Sequence, residues 1–169
     1  MIEVTAAALA THPFLRGMSH DQLSVLAQTA SDVTFGPRHR IFADGGNATR
    51  FWLIQSGRVS LDLNIPGEGP AVIGTIGLGD LLGWSWLIPP YTWAFGAVAA
   101  TRVEAFEFEA PAVRDHCAAD PGLGYELTRR TTLVLAKRLQ ATRVRLFAPP
   151  GHPACPSSSS TCRAAFMVD

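Results

Sequence analysis

The chain has 169 residues, 47% hydrophobic and 17% charged, which is globular rather than disordered composition and the length of one domain with its own core. Fourteen Lys and Arg balance fourteen Asp and Glu, so no overall field draws the molecule to nucleic acid or to a membrane, and any such attraction must come from a local patch. Three cysteines, an odd number lying far apart or in the tail, suit a reducing compartment rather than a disulfide framework, and with no basic n-region and no run of about 18 apolar residues a cytoplasmic protein without a membrane span is expected.

In chain order, His12-Pro13-Phe14-Leu15 leads into Ser19-His20-Asp21-Gln22-Leu23, where Ser19 with Gln22 three residues on is a capping-box pattern. Leu23, Leu26, Ala27 and Ala30 follow at helical spacing, predicting a short amphipathic helix on a core. From Val33 the period changes. Val33, Phe35, Ile41-Phe42, Phe51-Trp52-Leu53-Ile54, Val59, Leu61, Leu63, Val72-Ile73 and Ile76 form short apolar or alternating runs separated by Gly, Pro and Asn turns. Many short strands at close spacing predict a barrel or jelly roll.

The strand pattern ends in Gly79-Asp80-Leu81-Leu82-Gly83-Trp84-Ser85-Trp86-Leu87-Ile88-Pro89-Pro90. Two glycines bracket an acid, and a short apolar segment runs on until the paired prolines stop any helix. This reads as strand, tight turn, one short helix, loop, strand. A helix start behind a glycine turn offers backbone N–H groups to an anion. Trp84, Trp86 and Trp93, three of the four tryptophans, would stand beside those donors as an apolar, stackable wall.

This order of residues resembles the phosphate-binding cassette of the cyclic-nucleotide-binding domain, the sensory fold of the cyclic-AMP receptor protein family. The resemblance implies that Gly79-Asp80 occupies the family's Gly-Glu place with a shorter acid, and that Leu81, Leu82 and Gly83 fit the family's next three positions. It also implies that Asp80 would hold a ribose hydroxyl. The family's arginine for the cyclic phosphate is missing, since Tyr91, Thr92 and Trp93 stand in its place and no Lys or Arg occurs between Arg58 and Arg102. Upstream, Ile41-Phe42, Gly45-Gly46-Asn47-Ala48 and Phe51 through Val59, with Ser56-Gly57, are similar to the family's strand, glycine turn, aromatic strand and Ser-Gly turn. The resemblance spans residues 12–147 and implies the fold.

After the cassette, residues 96–108 read as two strands, Pro111 opens a helical segment to His116, and Asp120-Pro121 is a cap with proline at the first helical position. Residues 123–147 follow as one helix. Leu127, Val134 and Ala141 make one stripe and Leu135, Leu139 and Leu146 a second, predicting contact with the barrel on one side and with a second copy on the other, in a homodimer like the receptor family's. The helix carries Arg129, Arg130, Lys137, Arg138, Arg143 and Arg145 against Glu126. That is either a solvated face or a surface for nucleic acid or an acidic partner protein. Leu146 and Phe147 could dock a partner. Residues 149–169, rich in Pro and Ser, show no apolar periodicity, so a disordered tail is expected. The family's transcription factors carry a helix-turn-helix after this helix, and twenty irregular residues cannot supply one, so direct DNA binding is not expected.

The fold class expected is therefore α+β, an antiparallel β jelly-roll barrel flanked by an N-terminal helix and a long C-terminal helix, in one domain over residues 1–148. Candidate ligand contacts are Gly79, Asp80, Leu81, Leu82, Gly83, Trp84, Ser85, Tyr91, Thr92 and Trp93, with Thr128 on the long helix. Asp80 is open to a second reading as a plain turn residue, and Ser85 to one as a donor to its own turn. Arg129 or Arg130, from its own or from a partner subunit, could reach the cassette in the missing cation's stead. No catalytic residue or metal ligand set is visible: of the histidines only His39 lies among the strands, and Cys155, Cys162 and His152 sit in the serine-rich tail. The function implied is a non-enzymatic regulatory sensor binding cyclic AMP or cyclic GMP weakly, or another small ligand. The alternative is a ligand-free dimerising interaction module whose pocket is filled by tryptophan.

Overall fold

A computed structural model describes residues 4–147, with side chains through residue 144; the expected tail and the side chains of Leu146 and Phe147 lie outside the described residues. Thr5 opens a short helix, α1 (Ala6–Ala10), its side chain accepting from the Ala8 amide. Sequence periodicity missed this element because one turn of alanine and leucine carries no stripe. The second helix, α2 (His20–Ala27), starts in the capping box foreseen: Gln22 N–H donates to Ser19 Oγ at 3.2 Å and Ser19 N–H to Gln22 Oε1 at 3.3 Å.

Eight strands come next among the described residues: β1 (Ala30–Phe35), β2 (Arg40–Phe42), β3 (Arg50–Ser56), β4 (Arg58–Ile65), β5 (Gly69–Gly77), β6 (Leu81–Leu82), β7 (Gly96–Ala99) and β8 (Val103–Glu109). All pairings are antiparallel and nested, β1 with β8, β2 with β7, β3 with β6 and β4 with β5. Two further pairings, β3 with β8 and β4 with β7, gather the strands into sheets ordered β1-β8-β3-β6 and β2-β7-β4-β5. One long hairpin rolled upon itself gives this order, which is the jelly roll expected.

The core explains the runs in the sequence. Phe51, Trp52, Leu53 and Ile54 are all buried, so β3 is covered on both faces and reads as continuous rather than alternating. Phe42 of β2, from the other sheet, stacks on Trp52 with centroids 5.4 Å apart, so Trp52 points into the roll. Phe51, its neighbour in the strand, points the opposite way, beside Phe108 at 4.7 Å. In the second sheet the guanidinium of Arg40 and the carboxylate of Asp62 pair twice at 2.8 Å across the intervening strand β7. Any side chain at Gly96 would strike both partners.

Beyond β8, α3 (Ala110–Ala119) leads to Asp120, whose Oδ1 accepts from Gly122 and Leu123 N–H and so caps α4 (Pro121–Phe147). Leu123, Leu127 and Thr131, one turn apart, are buried. The chain divides after Leu135 into two compact units; the described part of the second continues α4 to Phe147. No helix among the described residues is long and apolar enough to cross a membrane.

Candidate functional site

Between β5 and β6 the chain makes a closed turn. Gly79 sits at φ 84°, and its N–H donates to the Ile54 carbonyl at 2.8 Å. Ile54 N–H donates in return to the Asp80 carbonyl at 3.0 Å. One oxygen of the Asp80 carboxylate accepts the Gly77 N–H at 2.9 Å while the Asp80 N–H donates to the Gly77 carbonyl, the geometry of an aspartate that closes its own turn. Asp80 does not stand at the head of the short helix, as the sequence pattern suggests. Leu81 and Leu82, both buried, intervene as β6, paired with Leu53 and Trp52. A two-residue strand between glycines is too short to show any period.

The short helix is a 3-10 turn, Trp84–Trp86, and its cap is Gly83 at φ 86°. A Cβ at Gly83 would lie 2.8 Å from the Trp93 ring, so both the backbone angle and the close approach require glycine. Trp86, Leu87 and Ile88 N–H donate to the carbonyls of Gly83, Trp84 and Ser85, leaving the leading amides of Gly83, Trp84 and Ser85 outside the turn's own bonding. Ser85 is buried, and its Oγ accepts from Ala94 N–H at 3.4 Å, bracing the loop.

The tryptophans do not form one wall. Trp93 stacks on Phe42 at 4.0 Å, on the inward side of β3 where Trp52 also points, and Trp84 lies nearer Phe95, at 6.3 Å. Trp86 stacks on Phe51 at 4.3 Å, on the other face of the same strand. Thus the cassette straddles the sheet edge, one indole inside the roll and one behind it. Trp93 is fixed by its N–H to the Gly46 carbonyl (2.8 Å) and by Gly45 N–H to its own carbonyl (2.9 Å), while Ala48 N–H donates to Tyr91 O at 2.7 Å. Thr92 is exposed and bridges Asn47.

No cation lies within residues 79–95, yet the structure brings one to the cassette. Arg114 of α3 donates from Nη1 to the Trp86 carbonyl at 2.8 Å, its guanidinium 4.2 Å above the centre of the Tyr91 ring. Nothing in the sequence marks Arg114, because no pattern shows which turn of α3 meets the cassette. Arg129 and Arg130 both donate to Glu126, whose carboxyl they hold below its ordinary range, and Arg130 also donates to the Phe14 carbonyl at 2.6 Å. Neither contact is with the cassette. Thr128 is exposed on α4.

The cassette entry has a second unforeseen neighbour. His12 is buried, with Nε2 3.0 Å from the same Ile54 carbonyl that Gly79 uses. Phe14 N–H points at His12 Nδ1 (3.2 Å); Nδ1 must therefore accept, which puts the proton on Nε2 as donor to Ile54. Burial pushes this imidazole's pKa down, partly offset by the Ile54 carbonyl and the Asp80 charge.

Comparison with known proteins agrees with this fold. The chain is 27% identical over 138 residues to a CRP-like cAMP-activated global transcriptional regulator of Mycobacterium tuberculosis, a match covering 82% of this chain and 60% of that protein. It therefore spans less than two thirds of that regulator. Among solved structures it resembles a candidate cyclic nucleotide-binding protein from Geobacter metallireducens, with a TM-score of 0.74 at 21% identity over 80% of this chain and 98% of the other. It also resembles a cAMP-binding acyltransferase from Mycobacterium smegmatis, with a TM-score of 0.65 at 29% identity over 82% of this chain and 42% of the other. The family model for the cyclic nucleotide-binding domain matches residues 32–120, which run from β1 to the end of α3, and the chain belongs to that family.

Proposed function

We propose that this domain is a non-enzymatic regulatory sensor that takes a small ligand at the cassette of residues 79–95, with cyclic AMP or cyclic GMP bound weakly, and passes the change to α4. The observation that carries the reading is the match of residues 32–120 to the cyclic nucleotide-binding domain, a span that holds the glycine-capped 3-10 turn and has no cation between residues 79 and 95. The resemblance to proteins named as cAMP-activated and cAMP-binding supports the ligand class. Hydrogen bonds to charged groups contribute about 1.5–3 kcal/mol, so a phosphate without its cationic partner should bind roughly ten- to a hundredfold more weakly than with one.

Isothermal titration with cyclic AMP and cyclic GMP tests this. Saturable micromolar binding is expected, and no heat with either nucleotide removes the cyclic-nucleotide reading. A second reading then stands, favoured by the burial of Trp93 against Phe42: an aromatic stack in place of a ligand, in a dimerising interaction module.

A further inference from the structure

We propose that Arg114 is a positioning residue for the cassette, clamping the 3-10 turn and the Tyr91 corner to α3 in the ligand-competent conformation. The proposal rests on the sensor reading for what the clamp is for, and on geometry alone for its existence. Arg114 is half-buried and pairs with no carboxylate among the described residues; its contacts are the Trp86 carbonyl and the face of Tyr91. Its charge is met by a carbonyl oxygen and an aromatic face rather than by an anion. Here both contacts belong to the cassette, five residues apart, so what the guanidinium contributes depends on the conformation of that loop.

Two features show that the loop is held there rather than resting there. Tyr91 has φ 58°, a left-handed angle that a residue with a Cβ adopts at a cost. The Trp86 indole N–H is buried with no hydrogen-bond partner among the described residues, a state that a native interior seldom tolerates. Tyr91 lies under the guanidinium, and Trp86 supplies the carbonyl it binds. The cation–π contact and the charge-assisted bond act on the residues that carry the strain. Without Arg114 the loop would relax, with the indole turning toward a partner and the leading amides of Gly83, Trp84 and Ser85 losing their fixed aim. A ligand needing those amides would then have to reorder the loop as it binds.

Hydrogen–deuterium exchange on the whole chain tests the clamp without any ligand. In Arg114→Ala, exchange over residues 84–92 should rise about tenfold, the loss of one charge-assisted bond, while β3 and β8 keep their protection. Arg114→Lys should restore part of it, keeping the charge above Tyr91, and Arg114→Met, similar in volume but neutral, none. Unchanged exchange at 84–92, or a uniform rise through β3 and β8, would overturn the proposal. Should the alanine variant not fold, the Lys and Met pair makes the same comparison. Titration with cyclic AMP is the second arm: the Met variant should bind about tenfold more weakly on the same count, the Lys variant in between, and equal affinities would overturn it. If the unaltered chain gives no heat, the sensor reading fails while exchange still decides the clamp.

Discussion

His12 is the residue on which the N-terminal segment hangs. Its ring joins Phe14 to Ile54, and Ile54 in turn receives Gly79 at the cassette entry. Burial holds its pKa below the ordinary 6.5, so the unfolded chain binds the proton more readily than the folded one. The stability linked to this group is then complete above pH 6.5 and is lost as pH falls below it toward the folded value. Urea unfolding at pH 7.5 and pH 5 should show this loss in the unaltered protein and a shallower one in His12→Gln; equal pH slopes would remove His12 as the source. At pH 7.5 the substitution itself should cost about 1–3 kcal/mol, because a buried bond to Ile54 or Phe14 is left unmade. None of this is legible in the sequence: His12 reads only as part of a lead-in to a helix, since a contact spanning 42 residues leaves no local pattern.

For the strands, apolar content was informative and pairing was not. The run Phe51-Trp52-Leu53-Ile54 reads as a strand, and β3 is one, buried on both faces. Its neighbours β8 and β6, about 50 and 30 residues away in sequence, emerge only from the roll closing on itself. Residues 79–90 divide differently from the expected strand, tight turn and short helix. Asp80 drew attention because an acid after glycine suits a helix start, but Gly83 is the residue whose backbone the turn depends on. Gly83→Ala should therefore destabilise the fold by about 2–3 kcal/mol, combining a left-handed alanine with the approach to Trp93 at 2.8 Å. Thermal unfolding checks the magnitude. A change under about 0.5 kcal/mol, within the range of an inconsequential surface substitution, would mean that Trp93 can move aside and that the cap is not rigid.

In the molecule as a whole the question left by the two apolar stripes of α4 is what covers the second. The first is answered at Leu127, buried with Leu123 and Thr131. On the second, Leu139 is 53% exposed, and further along Val144 is 70% exposed. Scattered exposed leucines need no explanation, but Leu135 and Leu139 fall at the spacing of a coiled-coil seam, and Arg143, also exposed and one turn beyond Leu139, supplies a polar flank to such a seam. We therefore expect a second copy to pair along this helix. Sedimentation equilibrium should report a dimer, and Leu139→Glu, which places two like charges in the seam, should return a monomer with an unchanged circular dichroism spectrum. The substitution alters no contact of the cassette described above, so exchange over residues 84–92 should not respond to it in a folded monomer. A monomer already in the unaltered protein, or a dimer indifferent to the glutamate, would place the interface elsewhere. The exposed Val72 and Ile73 of β5 would then be the next face to test, by Val72→Lys in the same experiment.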